Sequence, residues 1–198
     1  MSALPKVSHA MTVEEFLLWE EPSPGRWQLV DGEPVGMAPT TRTHGAIQSE
    51  LCILIGVALE KSGKPCSVIT TPGVIPHVRS KTNVRIPDLG VVCGGYQTEQ
   101  AVLSEPVLLI EILSPSNESR TRANVWSYTT IPSVKEIALF HTASVGAEVW
   151  RRGADGNWPT EPETIEAGAV RLESVGVEFP LAAAYRTTLL SLAQGASA

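Results

Sequence analysis

The sequence predicts a mixed α/β domain of the α+β kind, in which helices flank a central β-sheet. Two observations indicate the sheet, since 85–92 and 107–113 are rich in apolar residues, have strand length and each contain one acid. A third indicates the helices, because apolar residues recur at helical spacing through 45–62. The order helix, hairpin, helix, several strands, helix and further strands is typical of a sheet covered by helices.

Size and composition limit the class of protein. The 198 residues suffice for a hydrophobic core, and we predict a single domain over 1–198. The formal net charge of −6 argues against tight nucleic-acid binding by charge alone, since such proteins are usually basic. No apolar run approaches the ~20 residues that cross a bilayer, and 1–16 contains no apolar segment of the kind found in signal peptides. We therefore expect no membrane partner and a cytoplasmic location.

The three cysteines, Cys52, Cys66 and Cys93, lie far apart in the chain and are odd in number. This pattern argues against a disulfide framework and against a zinc cluster.

A short helix and a hairpin are predicted first. Thr12 followed three residues later by Glu15 forms a capping-box pattern, which predicts a short amphipathic helix. The motif Asp31-Gly32 predicts the turn of a hairpin over 26–38. Glu33 follows that turn, and its spacing alone favours a solvated turn residue.

A longer helix is predicted over 45–62, with Thr43 as its N-cap and Gly63 as its C-cap. His44 falls in the first turn of this helix, where a lone histidine is more often structural than catalytic. Glu50 lies on the polar side of the helix, so we expect it to be solvated.

The sheet strands follow this helix. A β-branched strand is predicted over 66–71, and the two acid-containing strands come next. Asp88 lies in the first of these and Glu111 in the second, each among apolar neighbours.

A third helix is predicted over 117–130, capped by Ser116 or Asn117, with Ala123, Trp126 and Thr130 on its apolar stripe. The apolar strand at 136–141 comes next. As an edge strand it would allow two copies to pair, which makes a homodimer an expectation. Further strands are predicted at 147–152, 170–172 and 177–179, and a terminal helix is predicted at 182–192.

The two acids suggest a shared partner. A carboxylate inside a hydrophobic strand is costly unless something pairs with it. Adjacent strands would bring Asp88 and Glu111 within a few ångströms, and the simplest partner is a hard cation such as Mg²⁺. The alternative is a pair of unrelated acids, one at a strand start after Pro87 and one bridged to an arginine. The residues alone leave both interpretations open.

Several motifs resemble one family along nearly the whole chain, about 12–190. The segments are Ile86-Pro87-Asp88, Ile110-Glu-Ile-Leu-Ser-Pro-Ser116, Tyr128-Thr-Thr-Ile-Pro-Ser-Val134 and the hairpin 27–39. They resemble the Uma-type family, small bacterial proteins classed as restriction endonucleases within the PD-(D/E)XK nuclease superfamily. The resemblance implies a restriction-endonuclease-like fold, with a mixed sheet between helices and the site at one edge.

The resemblance also implies roles for individual residues. Asp88 and Glu111 resemble the family's ligands for Mg²⁺ or Mn²⁺. Glu33 resembles an acid from the hairpin that serves as a third ligand or positions water, and His44 resembles a histidine that lines the site.

The chain departs from the superfamily pattern at the lysine. That lysine should follow Glu111 by two residues, where Leu113 stands. Uma-type members usually recover a lysine from the next helix, but 117–130 contains none. Asn124 lies near where it would fall. An asparagine can orient a water molecule but cannot take its proton.

Arg120 and Arg122 lie a turn before Asn124. An arginine can stabilise negative charge, although it stays protonated and cannot easily act as a base. Spacing equally allows both arginines to form a solvated helix face. His44 is then the remaining candidate for the base.

The leading hypothesis is therefore a divalent-metal-dependent endonuclease that hydrolyses phosphodiester bonds in DNA. The alternative is a catalytically inactive nuclease fold that binds nucleic acid or protein, motivated by the missing lysine. A structural domain with salt-bridged acids is the third interpretation.

Overall fold

The computed structural model describes residues 9–21, 25–94 and 101–191. Its helices are α1 (Val13–Leu17), α2 (Arg42–Ser62) and α3 (Glu118–Tyr128), with a 3₁₀ helix at Leu181–Tyr185. Its strands are β1 (Trp27–Val30), β2 (Glu33–Gly36), β3 (Cys66–Thr70), β4 (Leu89–Cys93), β5 (Pro106–Leu113), β6 (Glu136–His141), β7 (Ala147–Arg151), β8 (Glu163–Ile165), β9 (Ala169–Leu172) and β10 (Val177–Pro180).

A six-stranded mixed sheet forms the centre of the fold, in the order β3-β4-β5-β6-β7-β8. The β5–β6 pair is parallel, with α3 between the two strands in sequence, and the other pairs are antiparallel. Two separate two-stranded sheets pair β1 with β2 and β9 with β10. The predicted class, a mixed sheet flanked by helices, is confirmed.

The strand at 136–141 is not an edge strand. As β6 it is hydrogen-bonded to β5 on one side and to β7 on the other. The edges of this sheet are β3 and β8. The expectation that two copies pair through 136–141 is therefore wrong, because both sides of its backbone already have partners.

The hydrophobic cores lie on the two faces of β5, because alternate residues of a strand point to opposite faces. Leu108, Ile110 and Ile112 pack with the apolar face of α2. Leu109 and Leu113 pack on the other face with residues of α3. Burying each such side chain contributes about 1.5–3 kcal/mol, which fixes both helices against the strand that carries Glu111.

The predicted hairpin is confirmed, with β1 and β2 joined by the turn at Asp31 and Gly32. Both turn residues have positive φ, 52° and 84°, as the tight hairpin turn requires. A Cβ at Gly32 would lie 2.6 Å from Cβ of Ala10, so this position has no room for a side chain.

The predicted capping box is also confirmed at α1. Thr12 Oγ1 accepts from the Glu15 N–H at 3.2 Å, and Glu15 Oε2 accepts from the Thr12 N–H at 2.7 Å.

The N-cap of α2 is Thr41, whose Oγ1 accepts from the His44 N–H at 3.2 Å. The helix thus begins earlier than predicted, and Thr43 lies inside it. Gly63 ends α2 in the left-handed conformation at φ 64°, as predicted.

The buried face of α3 differs from the predicted stripe. Thr121, Asn124, Val125 and Tyr128 are buried, whereas Trp126 is 63% exposed. The predicted stripe of Ala123, Trp126 and Thr130 is wrong because packing against β5 selects the helix face, and that face also meets the polar Glu111.

Glu50 is buried rather than solvated. It lies on α2 and accepts a hydrogen bond from Arg186 Nη2 at 2.9 Å. The predicted helix over 182–192 is instead a 3₁₀ helix at Leu181–Tyr185 followed by the start of a separate helical turn, and residue 192 lies outside the described residues. The turn after the 3₁₀ helix places Arg186 beside the Glu50 carboxylate.

Cys66 and Cys93 form a disulfide, although the number and spacing of the cysteines argued against one. The antiparallel register of β3 and β4 sets these residues directly opposite each other, with their Cα atoms 4.0 Å apart. Spacing along the chain does not reveal that register. Persistent disulfides are typical of oxidising compartments, so the cytoplasmic location stays a prediction.

Within the described residues, no helix combines the length and the apolar character needed to cross a membrane.

Candidate active site

The structure brings Asp88 and Glu111 together. Asp88 directly precedes β4, and the pairing of Leu89 with Ile110 puts Asp88 opposite Glu111 on β5. Asp88 Oδ2 accepts a hydrogen bond of 2.7 Å from the Ile112 N–H. Asp88 is only 4% exposed and Glu111 only 5%, so both acids are largely removed from water.

Helix α3 supplies two donors to Glu111. The Tyr128 hydroxyl donates to Glu111 Oε1 at 2.6 Å, and Asn124 Nδ2 donates to the same oxygen at 3.2 Å. Both donors come from the face of α3 that packs on β5, so the packing of the helix orients the carboxyl group.

The electrostatics of this pair favour a proton or a cation. Burial, and then the negative charge of Asp88, raise the pKa of Glu111 well above its ordinary value. Two buried carboxylates side by side cannot both be ionised cheaply. Burial, and then Glu111, also raise the pKa of Tyr128, so its hydroxyl remains a hydrogen-bond donor.

Helix α2 contributes His44 from its first turn. His44 Nε2 lies 3.2 Å from Asp88 Oδ2. One turn further along, Gln48 Nε2 donates to the backbone oxygen of Asp88 at 2.8 Å. These contacts hold Asp88 between the start of α2 and the sheet.

A cavity of about 300 Å³ contains both acids together with His44 and Asn124. The hairpin forms one wall of this cavity, the first turn of α2 a second, and the first turns of α3 a third. Four of the five predicted site residues therefore meet in one place.

Glu33 is the exception. It is exposed beside the hairpin turn, where it pairs with Val30, and it does not line the cavity. Within the strands β1 and β2, the residue that lines it is Gln28, near the other end of β1. Gln28 is 1% exposed, and its Oε1 has no hydrogen-bond partner.

Sequence reasoning missed Gln28 and the contact of Tyr128. Gln28 stands between Trp27 and Leu29, a polar residue among apolar ones, which is the kind of signal that singled out Asp88 and Glu111. In the sequence, Tyr128 only opens the segment 128–134 that resembles the family, and no pattern distinguishes it from an ordinary core tyrosine.

The lysine position is apolar. Leu113 points to the same side of β5 as Glu111 but is buried in the core cluster beneath α3. No lysine of the described residues lines the cavity. Beside Glu111 the structure places the neutral amide of Asn124.

The side chains present fit a hard divalent ion. Mg²⁺ prefers oxygen ligands and is often held by one or two carboxylates while it keeps several waters. The described residues contain no group of three or more His, Cys, Asp or Glu side chains arranged around a metal. The two carboxylates and the unpartnered Gln28 Oε1 in the same cavity nevertheless provide oxygen donors of the right kind.

Comparison with known proteins agrees with the fold and the motifs. The model of the Uma2 family, described as "Putative restriction endonuclease", matches residues 13–183. The uncharacterized protein slr1290 of Synechocystis sp. is 26% identical over 178 residues, which cover 89% of this chain and 92% of that protein.

A solved structure is similar over the same extent. It is the crystal structure of a putative nuclease belonging to DUF820 from Anabaena variabilis, with a TM-score of 0.72. The match covers 89% of this chain and 98% of that one at 18% identity, which establishes the fold alone. The family match confirms the resemblance drawn from the motifs. The chain belongs to the Uma2 family.

Proposed function

We propose that this protein hydrolyses phosphodiester bonds in DNA and requires Mg²⁺ or Mn²⁺. The observation that supports this most directly is the buried pair Asp88 and Glu111 at one cavity, with the pKa of Glu111 raised well above its ordinary value. A divalent cation would relieve the repulsion between these carboxylates and compete with a proton for Glu111.

Asp88 and Glu111 are the proposed ligands of the ion, with Gln28 Oε1 as a neutral third oxygen. Glu33 has no part in this proposal, because it does not line the cavity. When bound, such an ion polarises a phosphoryl oxygen and lowers the pKa of a water molecule.

The protein's other side chains position these ligands. Tyr128 and Asn124 direct their hydrogens at one oxygen of Glu111, which leaves Oε2 without a hydrogen bond from either of them. His44 holds Asp88 and is the proposed proton acceptor. A neutral imidazole has one ring nitrogen that can accept a proton.

Cleavage of supercoiled plasmid DNA tests this proposal. We expect nicking that depends on Mg²⁺ or Mn²⁺, stops with EDTA and is lost in Asp88→Asn, which keeps the side-chain volume but removes the charge. Glu33→Gln is the matched control and should cleave like the wild type. A wild-type protein that cleaves no form of DNA with either metal would overturn the proposal.

One observation favours a second function, that of an inactive nuclease fold which binds nucleic acid or protein. Leu113 is buried at the superfamily's lysine position, and Asn124 beside Glu111 cannot take a proton. This candidate predicts DNA retention without cleavage, and retention that Asp88→Asn leaves unchanged.

The metal site is testable apart from catalysis. An ion that binds only the folded protein raises its thermal stability as the concentration passes the dissociation constant. We expect Mg²⁺ and Mn²⁺ to raise the melting temperature of the wild type and not that of an Asp88→Asn, Glu111→Gln double variant. A homodimer stays a prediction, and strand pairing between copies through the central sheet would have to use its edges β3 or β8.

A further inference from the structure

Most arginine side chains of this acidic protein form an ion pair or a hydrogen bond, but a few form neither. Five of them form ion pairs with carboxylates, namely Arg79, Arg122, Arg151, Arg171 and Arg186. Arg85 and Arg152 donate to backbone oxygens. Within the part of the chain that the structure describes, the side chains of the remaining three, Arg26, Arg42 and Arg120, have no hydrogen bond or ion pair.

Two of these three arginines line the cavity that contains Asp88, and the third lies next to a lining residue in sequence. Arg26 and Arg120 line it directly, from the start of the hairpin and from the first turn of α3. Arg42 is the first residue of α2 and follows Thr41, which also lines the cavity. By contrast, Arg122 turns away from this cavity to a bidentate pair with Glu148. Of the two arginines of α3 that the sequence offered, one therefore faces the site.

Two helices also begin at this cavity. The first turns of α2, 21 residues long, and of α3, 11 residues long, both contribute lining residues. The N-terminus of a helix carries partial positive charge and backbone N–H groups that bind anions. The side chain of Asn117 does not cap α3, because it accepts from the N–H and hydroxyl of Ser114 instead.

Gln28 lies in the same cavity and is almost completely buried, yet its Oε1 has no hydrogen bond. Buried polar atoms are nearly always paired. An amide oxygen only accepts, so its missing partner is a donor or a cation, as in the proposed metal site, and not a phosphate. The cavity therefore holds the acid pair and Gln28, and arginine side chains lie at its edge.

We infer that this rim, composed of Arg26, Arg42, Arg120 and the N-termini of α2 and α3, binds the sugar–phosphate backbone of a DNA strand beside the acid pair. The inference rests on the proposed function for its substrate, and it adds the residues that hold that substrate. Contacts from arginines and helix N-termini to phosphates position DNA without reading its sequence. The rim therefore binds DNA with little sequence preference, through about three phosphates.

Salt dependence of binding tests the number of contacts. Each phosphate neutralised on duplex DNA contributes about −0.9 to the slope of log K against log salt concentration. Three arginines predict a slope of about −2.7, or a loss of affinity of about 40-fold between 50 and 200 mM salt. The measurement uses fluorescence anisotropy of a short labelled duplex of arbitrary sequence in EDTA, so that no hydrolysis occurs.

Each arginine removed from the rim should reduce the slope of log K against log salt concentration by the same amount. We expect Arg120→Ala, an exposed position that does not threaten folding, to reduce the slope by about 0.9, and Arg26→Ala to do the same. The double variant should lose only about 3-fold in affinity over the same salt range. Lys61→Ala is the charge-matched control, since Lys61 lies in the last turn of α2, at the opposite end from the cavity.

The outcomes separate the rim from the proposed catalysis. Equal slopes for Lys61→Ala and Arg120→Ala would overturn the inference, because the overall charge of the protein would then explain its binding to DNA. Unchanged slopes in all arginine variants would overturn it as well. A wild type that binds with the expected slope but never cleaves DNA would support the rim and refute the proposed hydrolysis.

Discussion

The hydroxyl of Tyr128 donates a 2.6 Å hydrogen bond to Glu111 Oε1, which joins the end of α3 to the middle of the central sheet. Both side chains are buried, and Tyr128 has no exposed surface. The bond favours the ionised form of Glu111 and so opposes part of the effect of burial. Tyr128 therefore connects the packing of α3 to the charge of the proposed metal site.

Replacing Tyr128 by Phe should affect both stability and metal binding. A hydrogen bond between neutral groups is worth about 0.5–1.5 kcal/mol. We expect the free energy of unfolding in urea to fall by about that amount in the metal-free protein, where the raised pKa favours the protonated Glu111. The pKa of Glu111 should rise further, so a proton competes better and Mg²⁺ binds more weakly at neutral pH.

Tyr185→Phe provides the control for this variant. Tyr185 is also a buried tyrosine, and its hydroxyl donates to the backbone oxygen of Gly146 away from the cavity. It should lose stability but keep its affinity for Mg²⁺. If both variants bind the ion equally well, Tyr128 has only a structural role.

The raised pKa of Glu111 predicts how stability depends on pH without metal. Its folded-state pKa lies above the ordinary value of 4.5, so the folded protein binds this proton more tightly than the unfolded chain does. The resulting stabilisation is complete below the unfolded pKa and is lost as the pH rises through the folded one. In EDTA, the free energy of unfolding should therefore fall by about 1.4 kcal/mol for each unit by which the pH rises between the unfolded and the folded pKa of Glu111.

Urea titrations of the wild type and Glu111→Gln at several pH values isolate this contribution. The amide does not titrate, so the difference between the two proteins should grow with pH in EDTA and shrink when Mg²⁺ is added. A difference independent of pH would show that Glu111 is ionised in the metal-free protein, contrary to this prediction.

Asn124→Lys should increase cleavage. The ammonium group would take the place of an amide that now lies 3.2 Å from Glu111 Oε1, and it would supply the cation that stabilises developing negative charge. A single such donor is commonly worth about 10²–10³ in rate, and we expect a gain of at least about tenfold in plasmid nicking with Mg²⁺.

The size-matched control for this substitution is Asn124→Met, which lengthens the side chain without charge. It should reduce activity or leave it unchanged. Equal activities for the lysine and methionine variants would mean that the missing cation does not limit this enzyme.

The ion pair of Glu50 with Arg186 should stabilise the fold more than a surface pair does. Removing Arg186 leaves the Glu50 carboxylate buried without this partner, and we expect Arg186→Ala to cost about 1–3 kcal/mol. Arg171→Ala breaks an exposed pair with Glu178 and should cost less than about 1 kcal/mol. Urea denaturation of both variants gives the comparison, and equal losses would contradict it.

The sequence predicts the acid pair well because burial makes a lone carboxylate conspicuous. Asp88 and Glu111 stand out among apolar residues, and their positions in successive strands suffice to place them together. The hairpin turn and the capping box are local motifs, whose geometry follows from residues within a few positions of one another.

The remaining features depend on relationships that no local pattern contains. Which face of α3 is buried follows from its packing on β5, and this decides the positions of Trp126 and Asn124. Glu50 is buried because Arg186, distant in sequence, reaches it. The family resemblance directed attention to Glu33 in the hairpin, whereas the register of β1 with β2 sets Gln28 at the cavity instead.

The bridge between Cys66 and Cys93 encloses Asp88 in a covalent ring with a sequence separation of 27. Such a ring limits how far the chain can be pulled. At about 3.5 Å per extended residue, an oxidised molecule stretched from its ends should release about 90 Å less contour length than a reduced one. The strand that brings Asp88 to Glu111 would thus stay tethered to β3 under tension, even after the rest of the sheet has come apart.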